Sequence, residues 1–485
     1  MAGYIERKRV VRSKNNFAAH EHPSRNLAKF PEEILLSICR AIHDTPIPEF
    51  RSDHKYQDLA LFDEGTRDIQ NVRLTCRVFN RIGSECLIRF VVLDLSSESL
   101  ARFKAIMGHP TLSKAVHVVR IRLPVYCSTL YNHPYRFACE IGYRLGNFWR
   151  HFGLQSAFKS LVERYATSTN PEQTPPGPEL CAAVIPAYRE FRRRYQAQRR
   201  LLEGPFVKDV TNALLMRNTG TPLRLEITDQ NDLSEEHQLP VFSFTKENRP
   251  EVLSSPPPSS WKEVNNRATV PHGLAWLVPQ ILAAFADDRI HIDDLHLDIS
   301  CTKIPDQTAF TQVDKTAIKA AMRNLRSYTY IGEFESRFGA QTPTLSSALY
   351  ECLPPASLQH LELQEVVLRP HQLPNLSRIH LTLIDVDAEM LTPLLQPLMP
   401  HGVVIILDSC NVDQGSWADV LDLLRSKQPL WCCLEEPMGW EFSDWYIENH
   451  FPDVDFDEHY ESSIRRAKQY IEESSDTNPF REDDE

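Results

Sequence analysis

Glycine is scarce in this chain, 16 in 485 residues, and phosphate-cradling loops, which need backbone free of side chains, are correspondingly few. No G-x-x-x-x-G-K-[ST], G-x-G-x-x-G, G-x-S-x-G or H-E-x-x-H occurs, so the nucleotide-binding, hydrolase-elbow and zincin signatures are all missing. There is no C-x-x-C pair either. The cysteines are scattered from Cys39 to Cys433 and odd in number, 11 in all, which points to reduced thiols in the cytoplasm or nucleus and away from a disulfide framework. Long apolar runs are also lacking. The longest, LAWLVPQILAAFA, is too short to cross a bilayer and contains Pro279, and MAGYIERKRVVRSK has charge without the apolar centre of a signal peptide. We expect no membrane association. Positive charge is in deficit, 53 Lys plus Arg against 65 Asp plus Glu for a net −12, which argues against nucleic acid as the main partner.

What is present is the composition of a folded protein, 42% apolar and 24% charged, long enough for roughly two to four domains or one extended repeat array. Residues 1–26 have no apolar period and read as a basic arm, in which RKRVVR is either an import signal or solvated charge. A helix is predicted at FPEEILLSICRAI, with Pro31 in its first turn, Glu32 and Glu33 beside it, and Ile34, Leu35, Ile38 and Ile42 along one face. A polar stretch with Pro46 and Pro48 separates it from NVRLTCRVFNR, where Ile69, Val72, Cys76, Phe79 and Ile82 recur at helical spacing.

Beyond residue 90, helix and strand alternate. RFVVLDLS and AVHVVRIRL read as strands around the helix SLARFKAIMGH; later IDDLHLDIS, LRSYTYIG, LQHLELQEVVL, LSRIHLTLIDV and GVVIILDSCNV alternate with helical segments. The pattern L-x-x-L-x-L, as at Leu358, Leu361 and Leu363, resembles a leucine-rich repeat, in which units must stack to bury their single apolar faces. The separations between Leu295, Leu325, Leu358 and Leu376 are unequal, so the repeat is irregular.

Three clusters could carry chemistry. In HIDDLHLD, strand alternation sends His291 and Asp293 to one side and Asp294, His296 and Asp298 to the other, either a metal site or a polar strand face. In the helix ELCAAVIPAYREFRRRYQAQRRLLEG, Val184, Tyr188, Phe191, Tyr195 and Leu202 form a stripe among arginines, which suits RNA, an acidic protein or simple packing with a solvated basic face. Cys432 and Cys433 in PLWCCLEE read as buried small hydrophobes. Near them Trp431, Trp440 and Trp445 with Glu435, Glu436 and Glu441 fit a sugar or peptide site or the cap of a repeat array.

FPEEILLSICRAI followed by NVRLTCRVFNRIGSECLIRFVVLDL resembles the F-box domain in the version common in fungi. Pro31, Glu33, Ile34, Leu35 and Ile38 match its first helix, and Val72, Arg73, Leu74, Thr75, Cys76, Arg77 and Phe79 match its second. SLARFKAIMGHPTLSKAVHVVRIRL looks like the family's sequel, so the resemblance covers about 28–123. The stretch 43–65 departs from the family as an insertion, which costs little closure entropy where it projects outward.

The resemblance implies that Phe30, Pro31, Ile34, Leu35, Ile38, Leu74, Cys76 and Phe79 bind a Skp-type adaptor and through it a cullin ligase; the alternative is that some of this apolar face, Ile38, Cys76 and Ile82 first, turns inward to the unit's own core. The expected fold is α/β, a short α-helical F-box followed by an irregular leucine-rich-repeat-like helix and strand solenoid with a helical insertion. The expected segments are 27–89 for the F-box-like domain, 90–445 for the repeat region with its insertion at about 125–215 and a Pro-rich loop at 245–260, and 446–485 for a C-terminal segment ending in the acidic tail NPFREDDE. The function implied is a non-enzymatic substrate receptor without cofactor or metal, placing an unidentified protein target for ubiquitin transfer. The alternatives are a repeat-based interaction scaffold without ligase association and an enzyme of a class its motifs do not reveal.

Overall fold

The computed structural model describes residues 31–42, 66–132, 137, 178–217, 221–230, 277–287, 289–300, 312–332, 345–366, 371–439, 442, 456–472 and 476–481. The arm at 1–26, Phe30, the insertion at 43–65 and the Pro-rich loop at 245–260 lie outside them. The chain divides into two units, Met1–Leu87 and Ile88–Glu485.

In the first unit, α1 (Glu32–Ile42) starts one residue later than its sequence suggests. Pro31 has no N–H to place in a helix, and its carbonyl accepts the first bonds, from Ile34 N at 3.1 Å and Leu35 N at 3.2 Å. NVRLTCRVFNR is not one helix. Helix α2 covers 66–73, and α3 (Arg77–Ser84) begins only after Cys76, whose backbone is extended at φ −162 and ψ 169. The break has a local cause: Leu74 N and Thr75 N turn back to Asn71 O and Val72 O, each at 3.1 Å, and Thr75 Oγ1 donates to Val72 O at 2.7 Å. A threonine that bonds its own turn competes with helix continuation. The three-and-four spacing survives because α3 resumes on the same side, and Leu35, Cys39, Ile69, Ile82 and Cys86 close a small core. At Gly83 a Cβ would stand 2.7 Å from Arg73 Cγ, so glycine lets α2 and α3 approach.

The second unit is built on one parallel sheet. Its elements, in chain order, are β1 (Phe90–Asp94), α4 (Ser97–Met107), α5 (Leu112–Ala115), β2 (Val118–Arg122), α6 (Ser128–Asn132), α7 (Pro178–Glu203), α8 (Phe206–Met216), β3 (Leu223–Thr228), α9 (Leu277–Ala284), β4 (Ile292–Asp298), α10 (Gln312–Met322), β5 (Ser327–Ile331), α11 (Leu345–Tyr350) and β6 (His360–Gln364). There follow β7 (Arg378–Thr382), β8 (Asp385–Asp387), α12 (Ala388–Leu395), β9 (Val404–Asp408), β10 (Asn411–Gln414), α13 (Trp417–Lys427), β11 (Trp431–Glu435), β12 (Met438–Gly439) and α14 (Phe456–Ile471).

The nine-stranded sheet has the order β1-β2-β3-β4-β5-β6-β7-β9-β11 and is open at β1 and β11; β12, β10 and β8 form a second, three-stranded sheet. Chain order equals spatial order, so each strand-to-strand connection has only to cross one side of the sheet. Register aligns Leu93, Ile121, Ile227, Leu297, Tyr330, Leu363, Leu381, Leu407 and Leu434 in a single row. This row, with its neighbour through Val119, Leu225, Leu295 and Ile379, is buried beneath helix residues such as Phe103, Val210, Ile281, Ile318, Leu394 and Leu421. All belong to one core. The L-x-x-L-x-L spacing therefore marks the strand face that meets the helices.

Several elements lacked an expectation. LRLEIT forms β3 between β2 and β4, WCCLE forms the edge strand β11, and α13 and α14 close the C-terminal end. The alternation in LRLEIT is a strand signal; its place in the sheet is not, because the helical insertion separates it from β2. At the ends of β6, β7, β9 and β11 the next residues, Glu365, Leu383, Ser409 and Glu436, all have positive φ, from 43 to 55. The N–H groups of the first three continue the ladder, from Glu365 to Thr382 O at 3.1 Å, from Leu383 to Asp408 O at 2.9 Å and from Ser409 to Glu435 O at 2.7 Å. After Leu383, Ser409 and Glu436 the chain turns out of the main sheet into β8, β10 and β12 respectively.

Candidate functional site

In the first unit the motif residues separate into two sets. Leu35 is 0% exposed and lies in the unit's own core, so it is removed from the outward set expected for it. Ile38 is the reverse case: one turn from Ile34, it faces out at 40%, with Ile34 at 45%. Leu74, in the turn between α2 and α3, is 85% exposed, Pro31 is exposed, and Cys76 and Phe79 are half-buried, Phe79 against the core. Positions 34 and 38 share one helix face while 35 and 39 share the next, and this offset sends Leu35 and Cys39 inward. Ile82 is buried as its spacing suggests. Glu32 pairs with Arg81 across α1 and α3.

In the second unit the sheet face opposite the core carries a row of polar side chains. Register places Val92, Arg120, Glu226, His296, Thr329, Glu362, His380, Ile406 and Cys433 side by side. Arg120 Nε lies 2.5 Å from Glu226 Oε2, both buried, and the guanidinium also stands over the Phe90 ring at 4.7 Å. Arg224 approaches the other Glu226 oxygen at 2.8 Å and Asp294 at 3.6 Å. Farther along, Thr329 donates to Glu362 at 3.3 Å, and His380 Nδ1 stands 3.4 Å from the same carboxylate. The bond from His380 holds Glu362 below the usual glutamate range. The buried Arg120 and Glu226 pair tolerates loss of one partner poorly, since the remaining charge keeps no counter-ion.

Of the HIDDLHLD residues, His296 stands in this row, and Asp294 and Asp298 lie two positions to either side of it along β4. Asp294 is paired toward Arg224, yet its carboxyl is raised, because burial outweighs that attraction. His296 is buried, and desolvation lowers it from 6.5 to about 4 against the pull of Glu226, so the imidazole is neutral at pH 7. Among the described residues no three His, Cys, Asp or Glu side chains are grouped to hold a metal. At the strand ends Asp229 is fully buried and accepts from Ser300 N at 2.8 Å and from Ser300 Oγ, which ties the ends of β3 and β4 together.

The arginine-rich helix α7 packs by its stripe. Phe191 is buried against Tyr126 and Phe137, Tyr195 stacks on Tyr131 with centroids 4.3 Å apart, and Gln198 bonds Tyr126 N and Pro124 O. Its cations are largely engaged: Arg193 and Arg194 hold Glu190, whose pKa falls to about 2, Arg199 pairs with Glu203, and Arg192 lies over Tyr131 at 5.0 Å. The packing reading of this helix therefore has the contacts.

At the C-terminal end the expected acidic tail docks in part. Asn478 Nδ2 donates to Asp422 at 2.7 Å and to Ala418 O at 2.9 Å, Arg481 reaches Asp422 at 2.5 Å and Asp419 at 3.1 Å, and Phe480 meets Phe442 with centroids 4.9 Å apart. Trp417 is buried and donates to Met438 O at 2.8 Å. Trp431 is 51% exposed and Cys433 is buried; Cys432 is half-buried, and Trp440, Glu441 and Trp445 lie outside the described residues.

Comparison with known proteins gives no match: no protein-family model, curated protein or solved structure matches this chain. Among the described residues no helix is long and apolar enough to cross a membrane.

Proposed function

We propose that the chain is the non-enzymatic substrate receptor of an SCF-type ubiquitin ligase. The first unit docks a Skp-type adaptor and through it a cullin. The second, an irregular leucine-rich-repeat-like solenoid, holds a protein target in the cytoplasm or nucleus. The observation that carries this reading is the exposure of Ile34, Ile38 and Leu74 at 45%, 40% and 85% on a three-helix unit, at positions where the F-box pattern places apolar residues. The unit's small core around Leu35, Cys39, Ile69, Ile82 and Cys86 does not receive them, and a partner face would. The strand order and the polar row support a non-catalytic second unit: its buried charges neutralise one another, as Arg120 and Glu226 do.

The test is co-purification of the full chain with a Skp-type adaptor and cullin, beside the variant Ile34→Asp with Leu74→Asp. A micromolar contact is worth about 8 kcal/mol and a carboxylate forced into an apolar interface costs several, so the variant should lose the adaptor. Circular dichroism should be unchanged, since both side chains are exposed in the native unit. Failure of the natural chain to capture any adaptor would leave the repeat-based scaffold in place of the ligase receptor.

A further inference from the structure

The polar row changes character toward β11. On the open face Arg378 and His380 of β7 are followed by Val404 and Ile406 of β9 and by Trp431 of β11. Trp431 is 51% exposed and adjoins Leu430 at 72%, two large apolar side chains that the protein leaves in water. At the other end of the same strands stand three carboxylates, Asp408, Glu435 and Glu436. Ser409 Oγ donates to Asp408 at 2.9 Å and reaches Glu436 at 3.5 Å, and Cys433 Sγ meets Glu435 at 3.0 Å. Among the described residues none of the three carboxylates forms an ion pair, unlike Glu226 and Asp422 elsewhere in the unit. Ser409 and Glu436 hold their left-handed backbone at φ 50 and 43, which fixes the ends of β9 and β11 where the charges gather.

We propose that this face of β7, β9 and β11 docks an extended partner segment carrying arginine or lysine a few residues from an apolar side chain. Charge complementarity selects the occupant. Three carboxylates with no ion-pair partner among the described residues repel nucleic acid, phosphopeptides and anionic lipid and attract a cationic chain, although Arg378 lies on the same face beside Val404. From Trp431 to Glu435 the strand rises about 13 Å at about 3.3 Å per residue, so an extended segment laid along β11 sets its apolar side chain on Trp431, Val404 and Ile406 and its cation on the carboxylates. Tryptophan adds attraction for a guanidinium over its face. The proposal rests on the receptor reading for its purpose, as the place where the target is held, and on the sheet face alone for its chemistry.

The experiment measures fluorescence anisotropy of three labelled peptides with the full chain: one alternating Arg and Leu, one Arg and Ser, one Glu and Leu. The Arg and Leu peptide should bind in a salt-dependent manner, and the other two more weakly. Glu435→Gln with Glu436→Gln, and separately Trp431→Ser, should each weaken it by about tenfold or more; all three side chains are exposed, and circular dichroism checks that the fold is kept. Equal binding of all peptides, or variants that bind as the natural chain does, would overturn the site. A dimer by sedimentation that dissolves on Trp431→Ser would also overturn it, since the occupant would then be a second copy. The adaptor pull-down is run on the same samples. Peptide binding without adaptor capture refutes the receptor reading and keeps the docking face; adaptor capture without peptide binding does the reverse.

Discussion

His296 is the residue whose surroundings most change its chemistry. Strand alternation in HIDDLHLD already groups it with Asp294 and Asp298, and that grouping is present in β4. What the local sequence does not contain is the burial, which lowers the imidazole to about 4, or the neighbouring Glu226, Arg224, Glu362 and Arg120 brought from three other strands. The depressed value has a definite sign. Between pH 6.5 and about 4 the unfolded chain takes up the proton and the folded one does not, so stability is full above pH 6.5 and falls as pH drops, by about 3 kcal/mol in all. Urea denaturation across that range should therefore show a shallower loss for His296→Gln than for the natural chain. Superimposable profiles would mean that the carboxylates alone govern acid sensitivity.

Elements are legible where one face is apolar and obscure where a single side chain decides. The strands β1, β2, β5, β6, β7 and β9 follow their alternation, whereas the division of NVRLTCRVFNR into α2 and α3 depends on Thr75 bonding Val72 O, a choice that spacing does not encode. The C-terminal cap is of the second kind. NPFREDDE has the composition of a solvated tail, yet Asp422 of α13 gathers Tyr470, Asn478 and Arg481. Burial would raise its carboxyl, and those three bonds outweigh it and hold it below the usual range. Ending the chain after Ser475 removes two of the three and uncovers the Phe442 ring. Thermal and urea unfolding should show a loss of about 2 kcal/mol. An unchanged midpoint would mean that the docked tail contributes nothing.

At the scale of the whole molecule the two cores share no residue: Leu35, Cys39, Ile69, Ile82 and Cys86 form one, and the sheet and its helices form the other. A fragment spanning Ile88–Glu485 should consequently fold alone, with an unfolding free energy within about 0.5 kcal/mol of that measured for the same transition in the full chain. It should capture no adaptor. A fragment that is insoluble or lacks the strand signal in circular dichroism would show that the first unit is needed to complete the second.

By itself the sequence determined the alternation of helix and strand and the inward face of those strands whose apolar pattern is clear, as in β6 and β7. These depend on periodicity and on residue types, which act over a few positions. Only the tertiary structure decided that β3 stands beside β2 across the helical insertion, that Ile38 faces out while Leu35 faces in, and that Glu226 neutralises Arg120 from a distant stretch of chain. Those outcomes depend on strand register and on which faces find a partner to bury against. Both are set by free energies summed over long-range contacts that no local pattern contains.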